Sequence, residues 1–189
     1  MGLFDSLLGR STPPEANLDA LFAVPQAALS LQADGFTPTG SGAVCYRPTE
    51  GGAFSGTEDE IEKLVATGGG PRIERSVDRF GFRWLTVTRT DTDISGLVTD
   101  LHAINSSLAD AGFGSALLCS TVIFHTSEQK PFALVYLYKR GTFYPFAPLA
   151  DDRRDNALEL QVRGVVGKDV TVESDLSKWL AIWGAPGLG

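Results

Sequence analysis

The sequence predicts an α+β protein, a single domain in which a mainly antiparallel sheet is packed by helices. Three observations predict it. The stretch Phe132 to Pro148, FALVYLYKRGTFYPFAP, reads as a strand, a tight turn at Lys139-Arg140-Gly141, and a second, aromatic strand. Ile94, Leu97, Val98, Leu101, Ile104, Asn105 and Leu108 recur at the spacing of one helical face. The strand-like segments are joined mostly by short turns, which favours antiparallel neighbours over crossovers.

The elements follow in order. Residues 1–14 form a unit of their own: Leu3, Phe4, Leu7 and Leu8 share one helical face, and a Ser-Thr-Pro-Pro linker follows. So short a helix is unstable alone in water and must dock on the domain, a partner or lipid. Residues 15–189 form the domain. Asn17 is placed to cap a helix running to about Ala33 and stopped by Gly35, with Leu18, Leu21, Phe22, Pro25, Ala28 and Leu29 as its buried stripe. Pro25 predicts a kink or break near Ala23-Val24. The first strand lies within Phe36 to Tyr46. Thr57-Glu58-Asp59-Glu60 has the form of a capping box for a helix that reaches about Thr67 and buries Ile61, Leu64 and Val65.

Arg72 to Arg89 carries two strands separated by turn residues at Asp78 to Gly81. Asp93 then caps the helix Ile94 to Ala111, and Gly112 ends it. Ala116 to His125 is a strand, followed by a turn at Ser127 to Lys130 and the aromatic hairpin. Ala133, Leu134, Val135, Tyr136 and Leu137 leave no polar face, so this strand is expected to be covered on both sides. Asp155 to Val166 alternates in a way that suits a strand, but its helix-forming composition and Asp155 as cap favour a helix. Asp175 caps a last short turn carrying Trp179, Leu180 and Trp183.

The chain has 189 residues, 43% of them hydrophobic, and a formal charge of −7. That is enough apolar material for one full core. The acidic balance repels phosphate backbones, and the longest basic runs are pairs, so nucleic acid is not an expected partner. No run approaches the length of a membrane span. Cys45 and Cys119 sit in apolar, strand-like contexts and read as reduced core thiols. The expected location is cytoplasmic, with peripheral contact at the inner face of the membrane if residues 1–14 meet lipid.

No catalytic constellation is visible. Neither His102 nor His125 has a metal-ligand spacing, and each reads as a capped or solvent-facing histidine. A zinc site from His102, His125, Cys45 and Cys119 is arithmetically available, but no CxxC or HExxH spacing supports it. No serine lies in a Gly-x-Ser-x-Gly elbow. The segment Asp151 to Asp155, DDRRD, reads as a salt-bridged loop leading into a helix, with an electrostatic docking patch as the other reading. No cofactor and no metal are expected. Phe143, Tyr144 and Phe146, beside Lys139 and Arg140, have the composition of a recognition surface, or else of core residues of an edge strand. A protein-binding role is therefore the first expectation, with Leu3, Phe4, Leu7 and Leu8 as an auxiliary membrane or partner anchor. A peripheral membrane protein and a cryptic enzyme or metal protein using His102 or Cys119 are the alternatives, and an exposed edge strand could also make a homodimer.

Several stretches together resemble one bacterial family. They are MGLFDSLLGR, LDALFAVPQAALSLQADGF at Leu18 to Phe36, GLVTDLHAINSSLADAGFG at Gly96 to Gly114, ALVYLYKRGTFYPFAP, RRDNALELQVRG at Arg153 to Gly164, and the closing WGAPGL. The family is PspAB, the PspA-associated proteins. The resemblance implies a setting in phage-shock-type envelope-stress operons, with a PspA-like protein or an HtpX-like membrane protease as partner. It supplies no catalytic residue. The element order is also loosely similar to the YbjN and type III secretion chaperone-like folds, which bind other polypeptides.

Overall fold

A computed structural model describes residues 16–49, 52–66 and 71–189. The N-terminal segment with Leu3, Phe4, Leu7 and Leu8 lies outside the described residues, as does the end predicted for the second helix at Thr67.

The α+β expectation holds. Six strands form one antiparallel sheet: β1 (Thr37–Tyr46), β2 (Arg72–Val77), β3 (Arg83–Thr88), β4 (Leu117–His125), β5 (Pro131–Leu137) and β6 (Thr142–Phe146). Their spatial order is β2-β3-β1-β4-β5-β6. The residues Pro148–Leu149 (β7) and Arg153–Arg154 (β8) make a separate two-stranded ribbon. Four helices, α1 (Val24–Ala33), α2 (Gly52–Ala66), α3 (Ile94–Leu108) and α4 (Asn156–Val166), cover one face of the sheet. The other face is covered in part by the segment after α4, through Trp179, Ala185 and Leu188. Strand β5 is therefore buried on both sides, as its unbroken apolar run requires.

The helices show how local rules fared. The buried set of α3 is Ile94, Leu97, Val98, Leu101, Ile104, Asn105 and Leu108, the stripe its spacing predicts. The helix widens into a π turn at Ala109–Phe113, where Gly112 takes φ 89° and ends it. Asp155 caps α4: its Oδ1 accepts from the Leu158 amide at 3.0 Å. The helical reading of residues 155–166 is thereby the observed one.

Two stripes need correction. The first helix is a 3₁₀ segment, Leu18–Ala23, that becomes α at Val24, with Pro25 in the first α turn. The break at Ala23-Val24 is where proline predicts it, but Asn17 makes no side-chain cap. Three residues per turn advance the face faster than 3.6, so the phase slips across the junction. Leu21, Val24, Ala27, Ala28 and Leu31 end up buried, while Phe22 and Leu29 are exposed. Helix α2 begins at Gly52, so Thr57 and Glu60 lie inside it and do not form its N-terminal box. Its inward residues are Glu58, Ile61 and Val65, and Leu64 faces out.

Candidate functional site

The aromatic hairpin is a core element. Phe143, Tyr144 and Phe146 are each no more than 1% exposed. Alternation sends Phe143 to the helix side, where its ring meets Tyr136 at 5.2 Å, and Tyr144 and Phe146 to the other. Tyr144 stacks on Trp179 at 6.1 Å and donates to the Leu180 carbonyl at 2.9 Å. Burial pushes the Tyr144 phenol well up, keeping it protonated. Only Lys139 and Arg140 of that group reach the surface.

Arg140 is itself engaged. Its Nε and Nη2 donate to the buried carboxylate of Glu173 at 2.5 and 3.1 Å, and the Thr142 hydroxyl adds a third bond at 2.8 Å. Next to them the outer edge of β6 is occupied. The Phe143 amide donates to the Thr171 carbonyl at 2.9 Å, and the Glu173 amide donates back to Phe143 at 2.7 Å. The Arg140 guanidinium holds the Glu173 carboxyl down at about 2, against an ordinary value of 4.5. A depressed folded-state pKa contributes stability that is whole above 4.5 and lost as pH falls toward 2. We therefore expect the melting temperature of Glu173→Gln to fall less than that of the wild type over that acid range, as read by circular dichroism.

The other buried carboxylates are structural too. Glu58 accepts from the Tyr46 hydroxyl at 2.6 Å and from Arg83 Nη1 at 3.1 Å, tying α2 to the sheet. Glu159 accepts from the Ala147 amide at 2.9 Å and from Arg154 Nε at 2.8 Å. Arg154, which the sequence places in a solvated loop, turns inward. It also donates to the Trp179 carbonyl at 2.5 Å and lies over the Phe146 ring at 4.9 Å. Arg79 bridges to Asp152 at 2.6 Å, so one other charge of that loop is ion-paired, with a residue from outside it. Local spacing carried no signal for Glu58, because its partners lie far off in sequence; Tyr46 and Arg83 are 12 and 25 positions away.

His102, His125, Cys45 and Cys119 do not come together in one site. His102 sits on α3, its ring against Phe22 at 4.8 Å, with Asp19 and Ser106 at its two nitrogens at 3.4 and 3.3 Å. Cys45 and Cys119 are free and buried on the opposite face of the sheet. They are direct cross-strand partners on β1 and β4, and contact between them together with burial drives the Cys45 thiol pKa up. His125 closes β4 opposite Thr37 and Pro131. Among the described residues no group of three or more His, Cys, Asp or Glu side chains could hold a metal ion. No helix among them is long and apolar enough to cross a membrane.

Two surface features had no sequence signal. The first is the outer edge of β2. Among the described residues it pairs only with β3, and its last residue, Val77, and nearby Phe80 are 65% and 56% exposed. The second is an apolar cleft of about 300 Å³ where the Leu180–Trp183 segment crosses the sheet. Cys45, Cys119, Trp84, Leu118, Leu137 and Tyr144 lie along its wall.

Fold and surface together define a single-domain α+β protein whose buried charges are spent on holding its own elements together. The family is shown by sequence: the model of PspAB, PspA associated protein B, matches residues 1–187, and the chain belongs to that family. Membership associates the chain with the PspA system; PspAB is not a known enzyme family. No curated protein and no solved structure matches the chain.

Proposed function

We propose that the chain is a non-enzymatic adaptor of the PspA system that holds an extended segment of a partner protein along the free edge of β2. The observation that carries the reading is the asymmetry of the sheet edges. The outer side of β6 is taken by Thr171–Glu173, whereas β2 offers its unpaired backbone groups outward among the described residues. An open edge is a template for an added strand, and strand addition is a common way of holding a peptide.

Edge strands are often guarded by charge, and β2 carries Arg72, Glu74 and Arg75. Here the charges are engaged with one another or with α2. Arg72 pairs with Glu74 at 2.5 Å, and Arg75 reaches Asp59 and Glu62, each at 2.6 Å. Exposed Val77 and Phe80 add apolar contact area at one end of the strand. This surface replaces the aromatic hairpin as the proposed contact, because Phe143, Tyr144 and Phe146 are inside. Leu3, Phe4, Leu7 and Leu8 stay in the proposal as an auxiliary anchor. A PspA-like protein is the first partner to test, and an HtpX-like membrane protease the second.

The test is affinity for purified PspA-like protein. Val77→Lys/Phe80→Ser should weaken binding at least about tenfold, the loss of roughly 1.4 kcal/mol of contact. Both residues are exposed, so the melting temperature should hardly move. If Leu7→Ser/Leu8→Ser abolishes binding and the β2 variant does not, the contact lies at the N-terminal segment and the edge reading is wrong.

A further inference from the structure

The cleft between the C-terminal segment and the sheet has the chemistry of a ligand site; of the two residues used to test the strand edge it shares Phe80 and not Val77. Its volume of about 300 Å³ lies at the lower end of small-ligand pockets. At about 30 Å³ for each water-sized group, that is room for roughly ten carbons. The wall is apolar: Trp84, Leu118, Leu137 and Trp183, together with Cys45 and Cys119, and contact with Cys119 and burial hold the Cys45 thiol in its neutral form.

The cleft holds two charged side chains, and they differ in one respect. Asp78 is saturated from within its own hairpin. Its Oδ1 accepts from the Phe80 and Phe82 amides at 2.9 and 3.0 Å, and its Oδ2 accepts from Trp84 Nε1 at 3.0 Å. Arg47 lines the same cleft, is exposed, and makes no ion pair with a described residue. An open guanidinium at the mouth of an apolar slot matches a ligand with an anionic head and a single short chain. We propose that this cleft binds a medium-chain fatty carboxylate, with the chain along Trp84 and the thiols and the carboxylate on Arg47.

The probes are decanoate and its uncharged counterpart decan-1-ol, titrated into the full chain below their aggregation limits. Calorimetry gives the affinity, and the rate of Cys45 and Cys119 labelling by a thiol reagent reports occupancy of the cleft itself. Decanoate should bind saturably and slow labelling severalfold. Arg47→Ala should weaken decanoate by about tenfold, the usual size of a lost charge-assisted hydrogen bond, while decan-1-ol changes less than about twofold. Arg47 is exposed and makes no ion pair with a described residue, so this variant is expected to keep the fold. Val77→Lys, which tests the strand edge, should leave decanoate binding unchanged, so the two proposals fail separately. The inference is overturned if decanoate does not saturate, if it binds without slowing labelling, or if Arg47→Ala weakens both probes equally.

Discussion

Replacing Phe143 and Tyr144 together by Ala is expected to abolish the cooperative thermal transition. The two rings lie on opposite faces of β6 and serve different halves of the core. Phe143 packs with Tyr136 under the helices, and Tyr144 stacks on Trp179 and anchors the Leu180 carbonyl. Both are 1% exposed, so each truncation removes a full ring from close packing and leaves a cavity. Such a change costs about 3–5 kcal/mol. Two of them on opposite faces sum to about as much as the whole stability of a typical domain, about 5–15 kcal/mol. Circular dichroism melts of the two single variants and the double variant check this. A double variant that melts within a few degrees of the wild type would contradict the burial of β6.

Arg154→Ala should be the most damaging single change at a charged position. The substitution leaves the Glu159 carboxylate, 3% exposed, with only the Ala147 amide among the described residues. Removing one partner of a buried ion pair costs about 3–5 kcal/mol, because the remaining charge stays desolvated. Arg154 also holds the Trp179 carbonyl, so the segment that covers the cleft loses a tie to the sheet. Two readouts should move together: the urea midpoint should fall, and labelling of Cys45 and Cys119 in native buffer should quicken. Replacing Glu159 by Leu in the same chain should recover much of the midpoint, since the stranded charge is gone. Unchanged thiol labelling in Arg154→Ala would mean that the C-terminal segment is held without it.

The legible parts of this fold are those governed by local rules. The α3 stripe, the Asp155 cap and the strands of the hairpin follow from periodicity, capping and turn chemistry within a dozen residues. Phase was lost where the local geometry changed hands. The 3₁₀ turn at Leu18–Ala23 shifted the buried face away from Phe22 and Leu29, and α2 starts at Gly52, ahead of the capping box. The aromatic hairpin could be read as core or as surface because composition is the same in both. What decided it was the C-terminal segment, whose Trp179 and Thr171–Glu173 close over β6 from more than two dozen residues away. The edge of β2 and the apolar cleft were invisible for the same reason: each depends on which of the described strands and segments lie beside it, and that is a property of topology.

On the proposed reading, the partner docks on the outer edge of β2, which is open among the described residues. Amide hydrogen exchange of the full chain, alone and saturated with a purified PspA-like protein, tests it most directly. An added strand would hydrogen-bond the outward amides of Arg72–Val77, so their exchange should slow on binding while β6, already closed by Thr171–Glu173, does not change. Protection that appears in residues 1–15 or around Lys139 and Arg140, with β2 exchanging as before, would contradict the account.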